Sequence, residues 1–101
     1  MQIRFEREKA TLALHLTGRF DFNTLPAFRE ACDGLPADEE IQSVQINLSD
    51  VDYLDSSALS VLLMLREKIL SSGKEIVLTG VRGNVRQVLE IANFGRLFRI
   101  V

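Results

Sequence analysis

Two incompatible periodicities meet at residue 55. Upstream, Val44, Ile46 and Leu48 alternate with Ser43, Gln45 and Asn47, the period of a strand with one buried face. Downstream, from Ser56 on, Ala58, Val61, Leu62, Leu65 and Ile69 recur at helical spacing, and Gly73 is the expected stop. Arg66, Glu67 and Lys68 supply a wet helix face. A further apolar run, Ile76-Val77-Leu78, reads as a strand buried inside a sheet. Strand, amphipathic helix and buried strand in succession require the helix to cross over a sheet. At the juncture lies Asp55-Ser56-Ser57, an acidic residue and two hydroxyls.

The flanking segments extend the pattern. In residues 2–6, Ile3 and Phe5 alternate with Gln2, Arg4 and Glu6; in residues 11–17, Leu12, Leu14 and Leu16 alternate with polar or small residues. With Arg7-Glu8-Lys9-Ala10 between them, these read as two antiparallel strands, the second ended by Gly18. Asn23 or Thr24 can cap a helix that carries Pro26 in its first turn. Leu25, Phe28 and Cys32 form its apolar face, and Gly34 and Pro36 its end. Asp38-Glu39-Glu40 reads as a solvated turn, and Ser49 to Asp55 as a loop. Gly80 and Gly83 bracket another loop. Val85, Val88, Leu89 and Ala92 mark a third helix ending at Asn93 or Gly95, and Phe98, Ile100 and Val101 an edge strand. The predicted order is β-β-α-β-α-β-α-β: an α/β mixed sheet, an antiparallel hairpin followed by parallel strands with crossover helices. The clean alternation predicts helices chiefly on one face.

At 101 residues and 47% hydrophobic composition, the chain is expected to form a single domain, 1–101, with an ordinary core. Twelve basic residues against 14 acidic ones argue against a sequence-independent nucleic-acid binder. The lone Cys32 cannot form an internal disulfide, which fits a reducing compartment, and its helical setting suits a small packing residue. Charges interrupt residues 1–16, leaving no apolar stretch of a secretory signal, and the apolar run Val61–Leu65 is too short to cross a bilayer. A cytoplasmic protein without membrane insertion is expected.

Asp55-Ser56-Ser57 supports two compatible readings. Ser and Asp are favoured helix caps, although Leu59 stands where a capping box begun at Ser56 would need Glu or Gln. A hydroxyl at a helix start is equally suited to phosphorylation, because the exposed N–H groups there favour negative charge. A second constellation, Gly18-Arg19-Phe20-Asp21-Phe22-Asn23-Thr24, follows the second strand. In open sheets, sites gather beyond the carboxyl ends of parallel strands, so the two loops lie side by side if their strands are neighbours. One of Phe20 and Phe22 can be core and the other an exposed anchor. Asp50, Asp52 and Asp55 could hold a divalent metal as in a receiver domain, but the opening hairpin is wrong for that fold. There is no G-x-S-x-G elbow, no phosphate-loop spacing at Gly80-Val81-Arg82-Gly83, and one His and one Cys do not make a zinc centre. No catalytic set, metal or cofactor is expected.

Asp55-Ser56-Ser57-Ala58-Leu59, between an alternating strand and an apolar helix, resembles the D-S-[ST]-[GA]-L signature of STAS domains, and within them the bacterial anti-sigma factor antagonists. Gly18-Arg19-Phe20-Asp21 with Asn23-Thr24 resembles their G-x-[FIL]-D turn. Val88 to Phe98 resembles their last helix and the small residue and glycine after it. The resemblance implies a non-enzymatic partner switch. The unphosphorylated protein binds an anti-sigma factor, usually a histidine-kinase-like serine kinase; the kinase phosphorylates Ser56 and the complex dissociates; a serine phosphatase resets it. It further implies a partner surface of Asp21, Phe22, Asn23, Thr24, Asp55, Ser57 and Ala58. The alternative implied by the same resemblance is a STAS subunit of a lipid-transport ABC complex, binding its ATPase.

Overall fold

In the computed structural model, which describes residues 1–101, Gln2–Glu8 (β1) and Thr11–Phe20 (β2) form the antiparallel hairpin their alternation predicts. Lys9, at φ +55°, lies in the connection between them. The chain continues through a 3-10 turn, Phe22–Thr24, into α1 (Leu25–Cys32), then β3 (Ser43–Leu54), α2 (Ser56–Ser71), β4 (Glu75–Thr79), α3 (Gly83–Ile91) and β5 (Arg99–Ile100). The sheet has the order β1-β2-β3-β4-β5, with β2 through β5 parallel. Because the parallel strands are laid down in chain order, crossovers of one hand place all three helices on the same face.

The core lies between that face and the helices. Leu12, Leu14 and Leu16 of β2, Val44, Ile46 and Leu48 of β3, and Ile76 and Leu78 of β4 meet Leu25, Phe28 and Cys32 of α1. From α2 come Ala58, Val61, Leu62, Leu65 and Ile69, the spacing read from the sequence, and from α3 Val85 and Leu89. The opposite face is open and polar: there His15 Nε2 lies 2.8 Å from Glu6 Oε2. Asn93 closes α3 in the left-handed region, at φ +58°.

Two expectations are corrected. Gly18 does not end β2, and residues 49–54 are not a loop: the two strands continue together to Phe20 and Leu54. Their register slips twice. His15 pairs with Asn47 but Thr17 with Asp50, and Gly18 pairs with Val51 but Arg19 with Tyr53. Each slip accommodates one extra residue in β3, the signature of a bulge, and Gly18 adopts φ +100° at the second. Bulging puts Leu48, Val51 and Leu54, all buried, three residues apart, which hides the strand from an alternation search. The first bulge is held by the Asn47 side chain, whose Oδ1 accepts the Ser49 N–H at 2.9 Å. From outside, Arg82 donates Nε and Nη2 to the Ser49 carbonyl at 2.9 and 2.7 Å. Phe5 also departs from expectation: it shares the face of its register partner Leu14 but is half exposed, because β1 is the sheet edge.

Candidate functional site

Extension of β2 and β3 to a common end brings their following loops together. The Asp55 N–H donates to the Phe20 carbonyl at 3.3 Å, the last rung between the two strands. Asp55 then leaves the strand in an extended conformation and caps α2: its Oδ1 accepts the Ala58 N–H at 2.9 Å. Its Oδ2 accepts the Phe22 N–H at 3.1 Å, across 33 residues of sequence. The cap of α2 is therefore the aspartate and not either serine. Ser56 is the first helical residue and is exposed; Ser57 is half-buried. The Ser56 hydroxyl is thus left outside the cap, beside the unpaired N–H groups that open a helix of 16 residues.

The neighbouring loop is built by a second aspartate. Asp21 caps the 3-10 turn: its Oδ1 accepts the Asn23 N–H at 3.1 Å, and its own N–H donates to Thr24 Oγ1 at 3.0 Å, a reciprocal capping box. The Thr24 hydroxyl donates in turn to the Asp21 carbonyl at 2.8 Å. Neither Asn23 nor Thr24 makes the expected side-chain cap of α1; Thr24 serves the turn before it, and Pro26 sits in the first turn of the helix. Phe20 is fully buried with its ring 4.9 Å from that of Phe28, while Phe22 is 70% exposed.

The structure brings Asp21, Phe22, Asn23, Thr24, Asp55, Ser56 and Ser57 to one rim. Ala58 is different: it is fully buried, so its methyl faces the core and only its N–H, held by Asp55, serves the loop. The acidic trio also separates. Asp50 faces a shallow depression on the open side of the sheet with Arg4, His15 and Thr17, whereas Asp55 is committed to two backbone N–H groups. No three His, Cys, Asp or Glu side chains gather to hold a metal ion.

Sequence reasoning missed the flank of this rim. The Arg19 guanidinium lies 4.0 Å from the centroid of the Tyr53 ring, and its Nε is 3.4 Å from Asp21 Oδ2. Arg19 and Tyr53 are register partners, so the pair becomes visible only once the strand extension is known. On the other flank, Asn84 at the start of α3 donates Nδ2 to the Asp52 carbonyl at 3.2 Å. Chemically, the rim presents an exposed hydroxyl where added negative charge is favoured and, on the loop that Asp55 ties to it, an exposed aromatic ring. The one imidazole of the chain, His15, is engaged with Glu6 on the open face.

Residues 3–101 match the protein family described as Mlab, STAS domain. A STAS-domain containing protein of Pseudomonas aeruginosa (strain UCBPP-PA14) is 36% identical over 89 residues, covering 88% of this chain and 86% of that protein. The anti-sigma F factor antagonist of Paenibacillus polymyxa is 26% identical over 101 residues, covering 100% of this chain and 84% of that one. The crystal structure of an anti-sigma factor antagonist from Mycobacterium paratuberculosis superposes with a TM-score of 0.82 at 25% identity, covering 98% of this chain and 83% of that one.

Proposed function

The chain belongs to the STAS domain family, and on that premise we propose that it is an anti-sigma factor antagonist whose partner binding is switched by phosphorylation of Ser56. In its unmodified state it binds an anti-sigma factor, a serine kinase of the histidine-kinase-like type. Transfer of phosphate to the Ser56 hydroxyl breaks the complex, and a serine phosphatase restores it. The protein itself is not an enzyme in this scheme; it is a single domain, residues 1–101, acting in the cytoplasm. No helix is long and apolar enough to cross a membrane.

The observation that carries this reading is the exposed Ser56 hydroxyl, released from capping duty by Asp55, whose other carboxylate oxygen holds the loop of exposed Phe22. Phosphorylation would add about −1.5 to −2 charge there. At a helix start that charge is compatible with the fold, whereas in an interface covering Phe22 it brings repulsion and desolvation. Phe22 serves as the apolar anchor. Asn23 and the exposed parts of Asp21, Thr24 and Ser57 form its polar surround, and Asp55 fixes the loop. The anti-sigma factor antagonists among its relatives support the partner class.

Membership of the STAS domain family is compatible with a second reading, a STAS subunit that binds the ATPase of a lipid-transport ABC complex. One experiment separates the two. Ser56→Ala and Ser56→Asp baits are used to capture partners from the source cells. A serine kinase or anti-sigma factor retained by Ser56→Ala and lost by Ser56→Asp supports the switch; an ATPase and permease retained equally by both supports the transport subunit. Phosphate incorporation from ATP by the captured kinase must be absent in Ser56→Ala.

A further inference from the structure

We propose that the free edge of β1 is a self-association surface, to which a second copy of this chain adds its own β1 antiparallel, making one continuous sheet. β1 is seven residues long and has β2 on one side only. It contains no proline, its register with β2 runs without a bulge, and its four charged residues, Arg4, Glu6, Arg7 and Glu8, are of both signs, so they repel a strand in the wrong register but can pair in the right one. Alternate N–H and C=O groups along it point outward, ready to pair.

The side chains specify which partner fits. Turning β1 onto itself by a two-fold axis through Phe5 sets Phe5 opposite Phe5 and Arg4 opposite Glu6 of the copy, twice. Gln2 then faces Glu8, and Ile3 faces Arg7. Shifting the copy by two residues either way, which keeps the helices of both on one face, centres Arg4 on Arg4 or Glu6 on Glu6. Of these three registers, only the one through Phe5 brings no like charges together. Arg4 is exposed and makes no ion pair within its own chain, while Glu6 already holds His15 from the open face. Phe5, 49% exposed on the helix-bearing side, gains the apolar neighbour that the sheet edge denies it. Antiparallel addition sends the two Ser56 loops to opposite ends of the joined sheet, so both remain open. The inference rests on β1 alone and is independent of the role of Ser56.

The test is sedimentation velocity of the full chain across a concentration series, for the parent, R4E, E6R and the R4E/E6R double variant. The parent is expected to form dimers as concentration rises. Each single variant turns both symmetric pairs into like-charge pairs and weakens the dimer about ten-fold or more. The double variant restores opposite charges and returns the dissociation constant to within a few-fold of the parent. R4E leaves the Glu6–His15 contact in place and is the cleaner arm. A parent that stays monomeric at its highest soluble concentration, a dimer indifferent to R4E, or a folded double variant that does not recover would each overturn the proposal.

Discussion

Asp55 accepts the backbone N–H of Phe22 at 3.1 Å, joining two loops that lie 33 residues apart in sequence. The other oxygen of the same carboxylate holds the Ala58 N–H at 2.9 Å and so begins α2. One side chain thus starts the helix that carries Ser56 and fastens the turn that carries Phe22. The spatial relation between the exposed hydroxyl and the exposed ring is set by the aspartate, not by either of them.

Replacing Asp55 separates these two duties. Asp55→Ala is expected to lower stability by about 2 kcal/mol, roughly half from the lost cap and half from the lost charge-assisted bond to Phe22. Asp55→Asn keeps a carbonyl acceptor for Ala58 but turns an amide toward the Phe22 N–H, and should lose about half as much. Urea midpoints at unchanged slope measure both. Equal losses for the two variants would contradict the two-sided role.

The two phenylalanines around Asp21 should behave as opposites. Phe20 is fully buried against Phe28, so Phe20→Ala should cost about 3–5 kcal/mol. Phe22 is 70% exposed, and Phe22→Ala should change stability by less than about 0.5 kcal/mol. Under the proposed function, Phe22→Ala is the variant that loses its partner while melting normally. A large stability loss on truncating Phe22 would place it in the core and remove it as an anchor.

What was legible in the sequence follows the physics of periodicity. The α2 face was read residue by residue because an uninterrupted helix keeps its spacing, and β2 and the first half of β3 because unbulged strands alternate. The second half of β3 was not: two inserted residues convert alternation into a spacing of three at Leu48, Val51 and Leu54. With that extension hidden, the Arg19–Tyr53 contact could not be anticipated. The choice between aspartate and serine as cap was equally invisible, since both are good caps and only the position of Phe22 favours Asp55.

The bulge in β3 leans on Gly80. At φ +68°, a Cβ on this residue would lie 2.7 Å from Asn47 Oδ1 and 2.8 Å from the Ser49 nitrogen, the two atoms that lock the bulge. Gly80→Ala should therefore cost about 2–4 kcal/mol, from backbone strain and displaced packing together. Gly73, at φ +75°, has nothing within 4 Å of that position, so Gly73→Ala should cost only the strain, about 1 kcal/mol. Thermal or urea unfolding of the two variants tests the difference; equal losses would show that the close approach at Gly80 carries no weight.

Burial of Cys32 in the core pushes its thiol pKa up from 9.0 to about 12. The thiol therefore stays protonated at neutral pH, and iodoacetamide should leave the native chain unlabelled while modifying it readily in urea. Between these two values the native state holds a proton that the unfolded state has lost, so this group makes stability fall as pH rises above about 9. The decline in urea midpoint between about pH 8 and about pH 10 should be shallower for Cys32→Ala than for the parent. Identical slopes would mean that the thiol does not titrate on unfolding.

Ser56→Asp tests the helix-start placement and the switch together, with separable readouts. A carboxylate at the first position of α2 meets the positive end of the helix dipole, a gain of about 0.3–1 kcal/mol where it is partly screened. The variant should melt no lower than Ser56→Ala, and above it at low salt. The same negative charge on the rim that carries Phe22 should abolish or sharply weaken capture of the kinase partner that Ser56→Ala retains. A lower melting temperature for the aspartate variant would contradict the position of Ser56 at the helix start. Undiminished partner capture by a well-folded Ser56→Asp would leave the geometry intact but remove phosphorylation as its switch.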